Sequence, residues 1–290
     1  MSERNPLRMI LSSAWRFAGS ILLIGFATTC LVRFGPGFGT DERELDFRLS
    51  NESIEEIRKD AGAGNVFEIY YTFLRNAVHG DLGFSLSLNR PVGELIQQRY
   101  TTSLRIMTLG YATGWLAAFL FAATGAVLQA RAIPFWGTVA GAAILCIPSA
   151  LLAYLCYLAK APAFLVVGLM IFARVFRVID NLFRSARYKC HVLTARSLGL
   201  HEVRIFTRHV LSDTSAELIA LSGASVSMAV SATIAAEAFC GEPGLGQLAW
   251  KAALARDLQL IVSLTLLIGG LTLVCNRAAD TLVRIRRAAA

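Results

Sequence analysis

The chain has 290 residues, of which 55% are hydrophobic and only 17% charged, and its mean hydropathy is +0.55. Soluble domains carry about 25% charged residues, and disordered segments combine low hydrophobicity with high charge, so both classes are excluded. The excess of 28 Lys+Arg over 20 Asp+Glu, a net +8, reads as the basic loops of an integral membrane protein rather than as a nucleic-acid surface.

A helix needs about 20 mostly apolar residues to cross about 30 Å of hydrocarbon. Six stretches qualify: 17–32, 106–128, 133–158 (with Pro134 and Pro148 inside it), 161–179 (interrupted near its end by Arg174 and Arg177), 218–236 and 258–275. The first follows Arg4, Arg8 and Arg16 and has no A-x-A site after it, so it reads as an anchor with a cytoplasmic N-terminus. Arg131, the stretch 174–213 with eight Lys+Arg against three acids, and the C-terminal Arg277, Arg284, Arg286 and Arg287 then share that side. The expected fold is all-α and polytopic with six transmembrane helices. Residues 1–32 form a tail and first span, 33–105 an external helical segment, and 106–290 a five-helix core.

In the external segment, Ser53-Ile54-Glu55-Glu56 has capping-box spacing and predicts a short helix stopping at Gly62. Val66, Tyr70, Phe73, Leu74 and Ala77 fall on one face of a second helix. Gly80-Asp81-Leu82-Gly83 breaks it, and Pro91 suits the first turn of a third helix leading towards the second span.

Within the cytoplasmic stretch, Thr194-Ala195-Arg196-Ser197-Leu198-Gly199-Leu200 reads as a helix ended by a glycine, with a new start at His201-Glu202-Val203. Two short helices at a Gly joint make a knob suited to a groove on a soluble partner, and composition alone leaves that open against an ordinary solvated basic loop. In the fifth span Gly223, Ser227 and Ser231 recur at i, i+4, i+8, a stripe that serves either a polar path or plain helix packing. After it, Glu237-Ala238-Phe239-Cys240-Gly241-Glu242-Pro243-Gly244-Leu245-Gly246 predicts a turn, and a helix over 248–255 leads to Arg256-Asp257. His79, His191, His201 and His209 make no ligand set, and the six cysteines include no C-x-x-C. There is no G-x-x-x-x-G-K-[ST] either, so no metal, cofactor or nucleotide is expected on this chain.

Taken together, Gly80-Asp81-Leu82-Gly83-Phe84-Ser85, Thr194-Ala195-Arg196 with Gly199-Leu200, Arg208-His209 and the stretch 237–257 resemble one group of bacterial transporters. These are the ABC importer permeases of the dipeptide/oligopeptide/nickel class, and the resemblance runs from about Pro36 to the last span. It implies a type I importer permease fold in the inner membrane, paired with a second permease, usually a different chain. Two ATPase subunits would carry ATP and Mg, and an external solute-binding protein would deliver a peptide-like or other small solute. It also implies that Thr194, Ala195, Arg196, Gly199, Leu200 and His209, within 180–213, form the segment that couples to an ATPase. Glu237, Gly241, Pro243, Gly244 and Gly246 would form the external turn. The chain departs from the family's pattern at Thr101 and Glu217, where prolines are common, at Cys190 and Leu193, where more polar residues are common, and in a short connection around Lys160-Ala161-Pro162. Those departures also admit a permease-derived scaffold subunit of another membrane complex, without transport.

Overall fold

A computed structural model describes residues 6–34, 66–129 and 132–288. The helix expected after Ser53 and the loop residue Arg131 lie outside the described residues. Those described are almost entirely helical and fall into two compact units: residues up to Gln98 with Ala249–Gly270, and Arg99–Leu248 with the residues from Leu271 onward.

In the first unit, α1 (Pro6–Phe34) and α2 (Val66–Val78) lead to a hairpin of β1 (Phe84–Ser85) and β2 (Arg90–Pro91), after which α3 (Val92–Leu128) begins. The strands pair antiparallel, Phe84 with Pro91 and Ser85 with Arg90, a small sheet that the helical reading did not contain. The α2 face expected from apolar spacing buries Tyr70 and Phe73 with Val262, against Phe26, Leu74, Ala77, Leu258 and Leu266. The Tyr70 hydroxyl donates to the Leu22 carbonyl at 2.8 Å, which gives the one polar atom of that face a partner.

The second unit takes in most of α3, then α4 (Ala132–Cys146), α5 (Ser149–Leu158), α6 (Ala163–Arg187), α7 (Cys190–Ser197) and α8 (Glu202–Ile205). A five-residue wide turn with π-helical hydrogen bonding, Phe206–Val210, joins α8 to α9 (Leu211–Cys240). Next come α10 (Leu245–Leu254) and α11 (Leu258–Ala288), of which the stretch Ala249–Gly270 belongs to the first unit. The unit's core is built on α6, whose Ile171, Phe176, Ile179 and Phe183 are almost wholly buried. Phe183 stands edge-on to Phe119 of α3 at 5.9 Å and to Phe206 at 5.1 Å.

Among the described residues, 92–128, 202–240 and 258–282 are helical, long and apolar enough to cross a membrane. A fourth span is available if α4 and α5 are taken as one, although they bend by 99° at their break. Pro148 causes that break: it cannot donate an amide to the helix and it biases Ile147 away from helical geometry. Within α1 the apolar stretch is Gly19–Leu31. Arg174 and Arg177 interrupt the apolar run without breaking α6, and they lie on its exposed side while the apolar face is covered. The separate third helix and second span expected near Pro91 and Ile106 are one uninterrupted helix of 37 residues, because nothing between them breaks it.

Replacing Phe183 by Ala removes a ring that three elements share and should cost about 3–5 kcal/mol. A thermal unfolding midpoint in detergent that does not fall would show that this cluster does not hold the unit together.

Candidate functional site

The 190–210 segment is set by how its first helix stops. Gly199 has φ +73°, the left-handed region that side chains with a Cβ rarely adopt. The amide of Leu200 reaches the Ala195 carbonyl at 3.4 Å, and that of Gly199 reaches the Arg196 carbonyl at 3.0 Å, which is a Schellman close of α7. Two residues on, the ring Nδ1 of His201 accepts the Val203 amide at 3.3 Å and caps α8. The knob therefore has its turn held by hydrogen bonds at both ends.

Val192 and Ala195 are buried in the unit's core, so α7 lies with one face down. Arg196 does not reach outward but grips Glu202 with two bonds, Nε to Oε1 at 2.9 Å and Nη2 to Oε2 at 3.2 Å. Glu202 also accepts from Gln129 Nε2 at 2.8 Å, and Arg187 Nη2 lies 3.8 Å from it. Arg187 gives its other Nη to the Ala126 carbonyl. One carboxylate thus ties α7 and α8 to the ends of α3 and α6. Lys189 pairs with Asp213 at 2.6 Å and closes the other side. Thr194 and Gly199 are exposed, the rings of His209 and His191 lie 6.3 Å apart, and Leu198, at 75% exposure, is the most prominent apolar side chain on the knob. Sequence reasoning singled out Arg196 but missed Glu202 as its partner; opposite charges six residues apart across a helix break were the available signal.

The small-residue stripe of α9 divides. A Cβ on Gly223 would overlap Ala279 of α11, and Ser227 and Asn276 hydrogen-bond each other at 3.0–3.1 Å. Ser231 is exposed and bonds back to the Ser227 carbonyl. Two members of the stripe therefore pack against α11 and the third does not. Ser225, which the sequence did not mark, is wholly buried and accepts the Trp115 ring N–H at 2.8 Å.

The turn after α9 is organised around Glu237, which is fully buried. Its Oε2 accepts the Gly246 amide at 2.6 Å, placing a carboxylate at the N-terminus of α10, where the helix dipole favours it. A Cβ on Gly244 would overlap that carboxylate, so the chain passes only because position 244 has none. Gly241 turns the end of α9 at φ +75°, Pro243 is exposed, and Leu245 donates its amide to Ser103 Oγ at 2.7 Å.

In the first unit, two stretches that the sequence noted separately meet. Asp257 Oδ2 accepts from Ser85 Oγ at 2.6 Å, Ser87 Oγ at 2.9 Å and the Ser87 amide at 3.1 Å. Its Oδ1 takes the Leu260 amide at 3.1 Å. Asp81 Oδ1 accepts the Gly83 amide, and Gln259 accepts that of Phe84 at 2.8 Å. The Gly80–Ser85 turn is thus latched to the residues that start α11. Among the described residues no three His, Cys, Asp or Glu side chains gather to hold a metal.

The described residues are almost entirely helical, and their several membrane-length apolar helices and capped basic knob are the make-up of a polytopic membrane protein. Residues 110–287 match the family described as binding-protein-dependent transport system inner membrane component, and the chain belongs to it. It is 27% identical over 295 residues to a protein of Brucella abortus named as a peptide transport system permease, covering 91% of this chain and 93% of that one. It is also 27% identical over 240 residues to the oligopeptide transport system permease protein OppB of Escherichia coli, covering 74% and 78%. The chain is an ABC importer permease of the peptide family, a multi-pass membrane protein.

Asp257→Ala strands three donors around Ser85 and Ser87. Bonds to a charged acceptor are worth about 1.5–3 kcal/mol each, so amide hydrogen exchange across residues 84–91 should rise by at least about tenfold. Unchanged protection there would show that the hairpin does not depend on the latch.

Proposed function

We propose that this chain forms half of the translocation path of an ATP-driven importer and couples to its ATPase through α7. Six spans are supplied by α1, α3, the α4–α5 pair, α6, α9 and α11, with both termini and the knob in the cytoplasm and the Gly80–Ser85 and Glu237–Gly246 turns outside. The basic 174–213 stretch supports that orientation. A second permease completes the path, two ATPase subunits hold ATP and Mg, and an external binding protein delivers the solute. The names of the Brucella and Escherichia relatives favour a peptide as that solute.

The observation that carries the coupling role is the combination of a rigid knob with exposed apolar side chains. The Glu202 network fixes α7 to the ends of α3 and α6, so a push on the knob moves those helices rather than bending a loop. Leu198 and the 44% exposed Leu193 offer the kind of apolar surface that marks a contact site on an otherwise polar projection. Closure of two ATPases on nucleotide would then be transmitted as rigid-body motion of the spans.

Purification from native membranes in mild detergent, with mass spectrometry of every co-purifying chain, should yield a P-loop ATPase and a second permease. An assembly with no ATPase would replace this reading with that of a scaffold subunit, which the four-residue connection 159–162 between α5 and α6 and the missing prolines also fit.

Gly199→Val forces a β-branched residue into the left-handed region and should disturb the α7 close. In the assembled complex the expected outcome is ATP hydrolysis retained with solute uptake reduced by about tenfold or more. Uptake at the wild-type rate would remove α7 from the coupling role.

A further inference from the structure

A cavity of about 600 Å³ opens in the second unit beside the knob, between the ends of α3 and α6, the start of α4 and the end of α7. Asp180, Arg184, Arg187 and Arg196 make its polar wall, and Pro134 and Phe135 contribute to its apolar wall. Three guanidiniums share two carboxylates: Arg184 pairs with Asp180 at 3.0 Å, while Arg187 and Arg196 both lean on Glu202. The pairing leaves one positive charge over. An incoming anion would offset that surplus charge.

The donors for such an anion are present. Arg184 meets Asp180 through Nε, and its side chain stays 56% exposed at the cavity wall. Arg196, also on the wall, uses Nε and Nη2 for Glu202. A guanidinium edge presents parallel N–H groups in a fork that matches two phosphate oxygens.

The rim of the cavity separates the possible sources of a phosphate. Phe135 and Tyr188 line it and are 60% and 80% exposed, and Trp136, next in sequence, is 66% exposed. Exposed aromatic rings beside basic side chains at helix ends are the pattern of the headgroup level of a bilayer, and basic recesses between helices on the cytoplasmic side hold anionic headgroups. A free phosphate ion makes no use of an aromatic rim, whereas the glycerol and first methylenes of a lipid do.

We propose that this cavity holds the phosphate of an anionic phospholipid, with Arg184 and Arg196 on its oxygens and Phe135 against its glycerol end. The inference rests on the orientation proposed above, which puts this end of the unit at the inner surface of the membrane. Because Arg187 and Arg196 also hold Glu202, an occupied cavity would stiffen the same network that carries the knob.

The test uses the full chain with its co-purifying subunits, delipidated and returned to phosphatidylcholine nanodiscs with increasing phosphatidylglycerol, and counts retained lipid by native mass spectrometry. One phosphatidylglycerol per chain should persist where phosphatidylcholine does not. Arg184→Gln should weaken that retention by about tenfold, Arg184→Lys by less, and Arg204→Gln, an exposed arginine off the cavity, not at all. Phe135→Ala should also weaken it, and it serves as the deciding variant if Arg184→Gln does not fold. Equal retention by wild type and these cavity variants would overturn the site. Displacement of the lipid by millimolar inorganic phosphate would overturn the lipid as the source. The readout counts lipid and not uptake, so a preparation without an ATPase would count against the importer reading while leaving this one to be decided by the retention data.

Discussion

Inside hydrocarbon a backbone amide or carbonyl has no water to turn to, so a helix may stop only where something else takes up its free groups. Among the described residues, several stops have an explicit partner for those groups. Gly199 closes α7 with two backbone bonds, His201 caps α8, Glu237 receives an amide from the start of α10, and Asp257 receives one from the start of α11. The longest run of helix, 92–128, lies away from these points. Three of the four stretches that resemble importer motifs, at 80–85, 194–200 and 237–257, are built on or bonded to these stops.

The stops also show how much could be read in advance. The α2 helix followed from the spacing of Val66, Tyr70, Phe73, Leu74 and Ala77, and the glycine joint at 199 from a single residue type. Those are local signals. Asp257 and Ser85, by contrast, are 172 residues apart, and nothing in either stretch names the other. Glu202 carried a sign that opposed Arg196, but its bond to Gln129 and its approach to Arg187 depend on where α3 and α6 end. The split of the α9 stripe was not legible either, because whether Gly223 and Ser227 face α11 or open space is a matter of tertiary packing. The resemblance supplied the class of protein, and the physical reading supplied the reason that the recognised residues are of those types.

Two departures from the family's pattern have a direct structural counterpart. Where a proline is common, Thr101 lets α3 run for 37 residues and Glu217 lets α9 run for 30. A proline at either point would remove a backbone bond and kink the helix. Both helices therefore keep an unbroken helical backbone through these two positions. The broken α4–α5 pair is the opposite case: Pro148 turns the chain by 99° and leaves two short pieces that cannot act as one strut.

The wide turn at Phe206–Val210 sets the phase between knob and span. An α-helix advances by about 100° per residue, and a π segment accommodates one residue more per turn than the helix around it. That surplus residue fixes which way the buried Ile205 and Phe206 look relative to the faces of α9. It works as an angular index: shortened to an ordinary turn, the same helices would keep their lengths and their caps, but the knob would point about a quarter-turn away. Which way the exposed face of α7 points is in this sense chosen by a count of residues several positions downstream of that helix.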